Sequence, residues 1–134
     1  MRDTTLLALR PEIATESTTS NPAETFQNQT LRPLLKLQNE LLLALFRHYL
    51  VKRKQLGPDA RFAKMGQTEQ EIYIEHTIQT DQKFRNLLVG VIVGQFTSEE
   101  WTLFLADEAE LTRRLGNMLT QRIQSQRQQL VRGE

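Results

Sequence analysis

The run LLVGVIVGQFTSEEW, Leu87 to Trp101, constrains the fold more than any other stretch, because it can be read in three incompatible ways. Six of its first seven residues are aliphatic, with Gly90 as the exception and Gly94 following one helical turn later. As a strand it would need a partner, and the only other β-flavoured run is Ile72-Tyr73-Ile74, which would leave one isolated hairpin. As a phosphate-holding loop it would need Lys-Ser/Thr after the glycines, where Gln95-Phe96 stand instead. As a helix it works: Phe84, Leu87, Leu88, Val91, Ile92, Gln95 and Phe96 follow the i, i+3, i+4, i+7 rule. Gly90 and Gly94 then make a shallow groove where another backbone can come close. Close packing there must offset roughly 2 kcal/mol of lost helix propensity.

The rest of the chain reads the same way. Leu31 to Lys54 is the clearest helix, with Leu34, Leu35, Leu37, Leu41, Leu42, Leu45, Phe46 and Tyr49 predicted to face the core. Gln38 and His48 fall in that arc and need partners if buried. Leu43 falls on the opposite, polar stripe of Arg32, Lys36, Glu40 and Arg47, so it is expected at the surface, either as a stray exposed leucine or as the edge of a self-association face. Asn21-Pro22-Ala23-Glu24 predicts a capped helix start, and Pro33 either kinks that helix or opens a second one capped by Thr30. Gly57-Pro58-Asp59 is expected to open a loop lasting to Gly66. Thr68-Glu69-Gln70-Glu71 and Thr97-Ser98-Glu99-Glu100 are capping boxes, and Asp81 offers another cap between them. After a step at Ala106-Asp107 the stripe Leu111, Leu115, Met118, Leu119, Ile123, Leu130 predicts one long helix, weakened at Gly116. The expected architecture is all-α: a flexible N-terminal arm over residues 1–20, with a short helix at Thr5–Arg10, and one domain over 21–134, a bundle of about five helices.

A chain of 134 residues without cysteine has no disulfide, thiolate metal site or cysteine nucleophile. Leu6-Leu7-Ala8-Leu9 is too short for a signal-peptide core and no later run reaches membrane-span length, so no membrane association and a cytoplasmic address are expected. The net charge of +1 hides blocks: −2 over residues 1–30, +6 over 31–64, −7 over 65–110 and +4 over 111–134. Such blocks complement each other across a bundle or a dimer, or mark a nucleic-acid footprint.

Chemistry is sparse. His48 and His76 are the only histidines, and neither has the His-x-x-x-His or Glu-x-x-His spacing of a helical metal site. Glu71 and Glu75 share a face beside His76, but no second helix repeats the pattern. No metal, cofactor or catalytic residue is expected. The polar groups that could line a ligand pocket are Asn39, Glu40, His48, His76 and Asp81. ELTRRLGNMLTQRI, Glu110 to Ile123, superficially matches a helix-turn-helix, with Leu111, Leu115 and Gly116 in place. It fails at Thr112, Asn117 and Arg122. Arg113, Arg114, Arg122, Arg127 and Arg132 promise salt-sensitive phosphate contacts at most.

Three blocks, FQNQTLRPLLKLQNELLL (Phe26–Leu43), DQKFRN (Asp81–Asn86) and GQFTSEEW (Gly94–Trp101), resemble a family of small, uncharacterised bacterial proteins of similar length. The likeness covers most of residues 24–125 and implies a helical fold with no established activity. Members sometimes carry a glyoxalase label, which the residues here do not support: a βαβββ metalloenzyme places His and Glu ligands on strands. The functional expectation is a self-associating interaction module without catalysis, most simply a homodimer, with Leu43, Gly90 and Gly94 as interface candidates and another protein as a further potential partner. The alternatives are a nucleic-acid-binding regulator and a small-molecule-binding protein or enzyme.

Overall fold

A computed structural model describes residues 1–12, 21–56 and 61–132. Among them every regular element is helical: α1 (Arg2–Leu9), α2 (Pro22–Phe26), a π-turn (Gln27–Leu31), α3 (Arg32–Leu37), α4 (Asn39–Lys52), α5 (Arg61–Lys64), α6 (Gln67–Thr80), α7 (Gln82–Val93), α8 (Ser98–Ala106), α9 (Glu108–Ser125) and α10 (Arg127–Arg132). The all-α expectation holds, but about five helices was too few. The expected step at Ala106-Asp107 is present, but unforeseen breaks at Gln38 and Gln126 divide stretches that keep an apolar period, and periodicity alone does not report a one-residue break.

Local signals explain most boundaries. Asn21 Oδ1 accepts hydrogen bonds from the backbone N–H of Ala23 (2.9 Å) and Glu24 (3.3 Å), with Pro22 in the first turn of α2. Asp81 closes α6 and caps α7, accepting from the Phe84 N–H at 3.1 Å. The box at Thr97 is complete: Thr97 Oγ1 accepts from the Glu100 N–H (3.2 Å), and Glu100 Oε1 accepts from the Thr97 N–H (2.8 Å). Helix α6 starts one residue before Thr68, at Gln67, with Gly66 as its cap. Leu87–Val93 lies in α7, so this aliphatic run is helical as expected.

Pro33 stands in the first turn of α3, near the start of a second helix as expected, but Thr30 does not cap it: Leu31 precedes α3 and makes no side-chain capping bond. The chain from Pro22 to Leu37 stays helical through the π-turn, where the Arg32 N–H reaches back five residues to the Gln27 carbonyl. Proline has no N–H to donate and its ring crowds the carbonyl four residues back; widening the preceding turn accommodates both. The glycine-proline loop opening at Gly57 lies outside the described residues. Before it, α4 ends without a glycine: Lys54 sits at φ 57° and the Gln55 N–H donates to the Leu50 carbonyl at 2.8 Å. The segment expected to be loop up to Gly66 holds the turn α5, which buries Phe62 completely.

Residues group into two compact units. The first comprises 1–39 and 89–117, and its core is an aromatic cluster. Phe26 meets Phe96 edge-on at 5.6 Å, Phe96 meets Phe104 at 5.4 Å, and Leu31, Leu34, Ile92 and Leu115 are fully buried around them. The second comprises 40–88 and 118–134. There Phe84 packs on Phe46 (5.5 Å) and Tyr49 (4.4 Å), above Leu42, Leu50, Ile74, Leu119, Ile123 and Leu130, all fully buried. Burying each such side chain contributes about 1.5–3 kcal/mol.

Residues 2–9, expected to belong to a flexible arm, form α1, longer than the short helix foreseen at Thr5–Arg10 and anchored within the first unit. Arg2 donates to the carbonyls of Phe96 (2.8 Å) and Gly94 (3.0 Å), and Asp3 accepts from the Ser98 N–H (3.1 Å). The remaining arm residues, 13–20, lie outside the described residues.

Candidate functional site

The largest departure from expectation is the phase of α4. Gln38, at φ −94° and ψ 9°, closes α3, and α4 restarts with its buried face turned to Leu42, Leu43, Phe46 and Leu50. Leu43, expected on the surface as an interface edge, is buried at 5% exposure, out of a partner's reach. Leu41, expected in the core, is 47% exposed, and His48 is exposed as well. The outward face of α4 is therefore Leu41, Ala44, His48 and Val51, with Val51 53% exposed. These positions are spaced i, i+3, i+7, i+10, the pattern of a helix seam. That spacing stood in the sequence but was masked by the richer leucine arc beside it.

The glycines divide. An added Cβ at Gly90 would meet nothing within 4 Å, so among the described residues no backbone of another element closes on it. Gly94 lies just beyond α7; a Cβ there would stand 3.0 Å from the Gly90 carbonyl oxygen, and its N–H donates to that same oxygen at 2.9 Å. Of the pocket candidates, Glu40 and His48 are exposed, Asn39 is half-buried, and His76 and Asp81 come together.

His76 and Asp81 line an open cleft of about 490 Å³ in the second unit, with Tyr49, Arg53, Tyr73 and Lys83. The Tyr49 hydroxyl donates to Asp81 Oδ2 (2.8 Å), Arg53 Nη2 donates to the same oxygen (3.0 Å), and the guanidinium carbon lies 4.9 Å from the Tyr49 ring centroid. The Phe84 backbone N–H, then the Tyr49 hydroxyl and the Arg53 charge, hold the Asp81 carboxyl below its usual range. Burial first, and the bond to Asp81 second, push the Tyr49 phenol up to about 12; burial raises Tyr73 too. At neutral pH both phenols are protonated donors rather than bases. Asp81 thus accepts two hydrogen bonds on Oδ2 and one on Oδ1, and beside it the cleft carries the cations Arg53 and Lys83 and the donor phenols.

A second polar cluster lies in the first unit. Arg10 makes two hydrogen bonds to the Glu100 carboxylate and a third, at 2.9 Å, to the Gln95 carbonyl, while Thr30 in the π-turn donates to Glu100 Oε2 at 3.2 Å. Burial pushes the Glu100 carboxyl up, but the Arg10 bonds, the Thr97 N–H and Thr30 outweigh it and the net shift is downward. Sequence reasoning missed this cluster because Glu100 is sufficiently explained as a capping residue. Beside it an apolar groove of about 600 Å³ runs along Ala23, Phe26, Thr30, Leu103, Ala106 and Leu111.

Helix α9 runs unbroken through Gly116, so the helix-turn-helix likeness lacks its turn. Arg113 and Arg114 are both bonded to Glu110, whose carboxyl they hold at about 2. Among the described residues no three His, Asp or Glu side chains converge as a metal site would require, and no helix is long and apolar enough to cross a membrane. Comparison with protein-family models, curated proteins and solved structures finds no match to this chain.

Proposed function

We propose that the chain is a self-associating helical interaction module of the cytoplasm, acting without catalysis of its own, and that the outward face of α4 is its contact surface. One observation carries the reading: Leu41, Ala44, His48 and Val51 form a solvent-facing seam on a helix whose opposite face is already committed to the core. A helix apolar on two faces leaves the outer one for a partner. The test is solution mass by light scattering on a sizing column near neutral pH. The expected result is a concentration-dependent dimer that Leu41→Glu weakens at least tenfold; a monomer at millimolar concentration overturns the reading.

The cleft beside Asp81 supports a second reading, recognition of a small anion, because Arg53, Lys83 and His76 line it and the carboxylate is held by the Tyr49 hydroxyl, Arg53 and the Phe84 N–H. Titration with inorganic phosphate, followed by the NMR shifts of His76, tests it; shifts absent from wild type, or unchanged by Arg53→Ala, remove it. A nucleic-acid regulator has less support, since the unbroken α9 offers no turn and two of its arginines are paired with Glu110.

A further inference from the structure

The seam on α4 has a polarity that selects its occupant. Resting on the self-association reading, we infer that the partner is a second copy of this chain whose α4 lies antiparallel to the first about a two-fold axis. In heptad terms Leu41 and His48 stand at a and Ala44 and Val51 at d. Antiparallel pairing sets a against d, so Leu41 meets the partner's Val51 and Ala44 meets the partner's His48. Each layer then combines a larger with a smaller side chain, and Ala44 lets the axes approach. The pattern reads identically from either copy, as an isologous contact requires.

Charge selects the same orientation. Glu40 stands at the N-terminal end of α4, Lys52 at its C-terminal end and Lys54 just beyond it, all three exposed, while Arg53 is paired with Asp81. Parallel pairing would bring the two basic ends together and stack His48 on its own copy. Antiparallel pairing lays Glu40 beside the basic end of the other copy and opposes the two helix dipoles. The seam spans eleven residues, about 15 Å of helix, which is short for a permanent interface. The dimer is accordingly a dissociable one, populated at micromolar concentrations and above.

The chain has no cysteine, so single thiols report the pairing cleanly. Leu41→Cys and Val51→Cys are made separately, both at exposed positions, and their helicity is matched to wild type by circular dichroism. Each alone and an equal mixture are then oxidised at a concentration where scattering shows the dimer. The expected result is covalent dimer in the mixture, several-fold above either variant alone. Dominant cross-linking of Leu41→Cys with itself overturns the antiparallel orientation. Dimer mass without any cross-link overturns α4 as the contact and leaves self-association standing. Monomer throughout overturns both. A heterologous partner would show as a monomer here, and thus against this proposal.

Discussion

At Lys54 a residue with a full side chain occupies the left-handed conformation that glycine adopts freely. The Lys54 N–H donates to the Val51 carbonyl (3.0 Å) and the Gln55 N–H to the Leu50 carbonyl (2.8 Å), the paired bonds of a Schellman stop. The left-handed backbone costs about 1–2 kcal/mol in a residue with a Cβ. Glycine removes that cost and adds about 0.5–1 kcal/mol of unfolded-chain entropy. Lys54→Gly should therefore stabilise the chain by about 0.5–1 kcal/mol in urea unfolding; a loss would mean that the lysine side chain holds the turn. Tyr49 makes a prediction of opposite character. Its folded pKa, about 12, stands above the ordinary value of 10.0, so the stability this contributes is complete below pH 10 and is lost as pH rises toward 12. Tyr49→Phe should flatten that alkaline decline in paired unfolding curves; parallel curves would show that the phenol titrates freely.

The elements show what the sequence discloses and what it hides. Boundaries set by local chemistry were legible: Asn21 at α2, Asp81 at α7 and the Thr97 box at α8 act through backbone N–H groups within three residues. Phase across a break was not. The turn at Gln38 reassigned Leu41, Leu43 and His48, because the rotation of α4 is decided by packing against residues far along the chain. The contacts of α1 were hidden for the same reason: Arg2, Asp3 and Arg10 reach residues 94–100, and no local pattern announces a contact ninety residues away. The half of the candidate site that was legible, His76 with Asp81, joins residues five apart; Tyr49 on α4 and Arg53 in the turn that follows it were not foreseen. The Arg10 cluster tests how much such a distant contact matters. Arg10 and Glu100 side chains are 8% and 12% exposed, so removing the cation leaves a nearly buried carboxylate with Thr97 and Thr30 as its donors among the described residues. Arg10→Ala should cost about 3 kcal/mol, the low end for breaking a buried pair. Adding Glu100→Gln should recover part of it, and a single-variant loss below about 1 kcal/mol would mean that water replaces the guanidinium.

At the scale of the whole molecule, the alternating charge blocks resolve in part into internal pairs. Arg53 from the +6 block meets Asp81 of the −7 block, and Arg113 and Arg114 from the +4 block meet Glu110. Basic residues spent on internal carboxylates contribute little to a phosphate footprint, which weakens the case for nucleic acid and leaves the apolar seam as the more distinctive surface. Mass action then separates the two places where a second copy could sit. A second copy that binds only folded chain stabilises it and so raises the melting temperature with protein concentration; above the dissociation constant free chain grows as the square root of the total, so the gain is about 0.7 kcal/mol per chain per tenfold. With α4 as the contact, Leu41→Glu should abolish that dependence, because a carboxylate is forced into the seam. Gly90→Ala should keep it while adding about 0.8–1.0 kcal/mol at every concentration, since a mid-helix methyl there enters open space. Were the glycine face the contact, the outcomes would exchange: alanine would block the approach of a backbone at Gly90, and the glutamate at 41 would leave the concentration dependence intact. A set of melting curves over a hundredfold range of concentration, for wild type and these two variants, decides between the faces without requiring the partner to be seen.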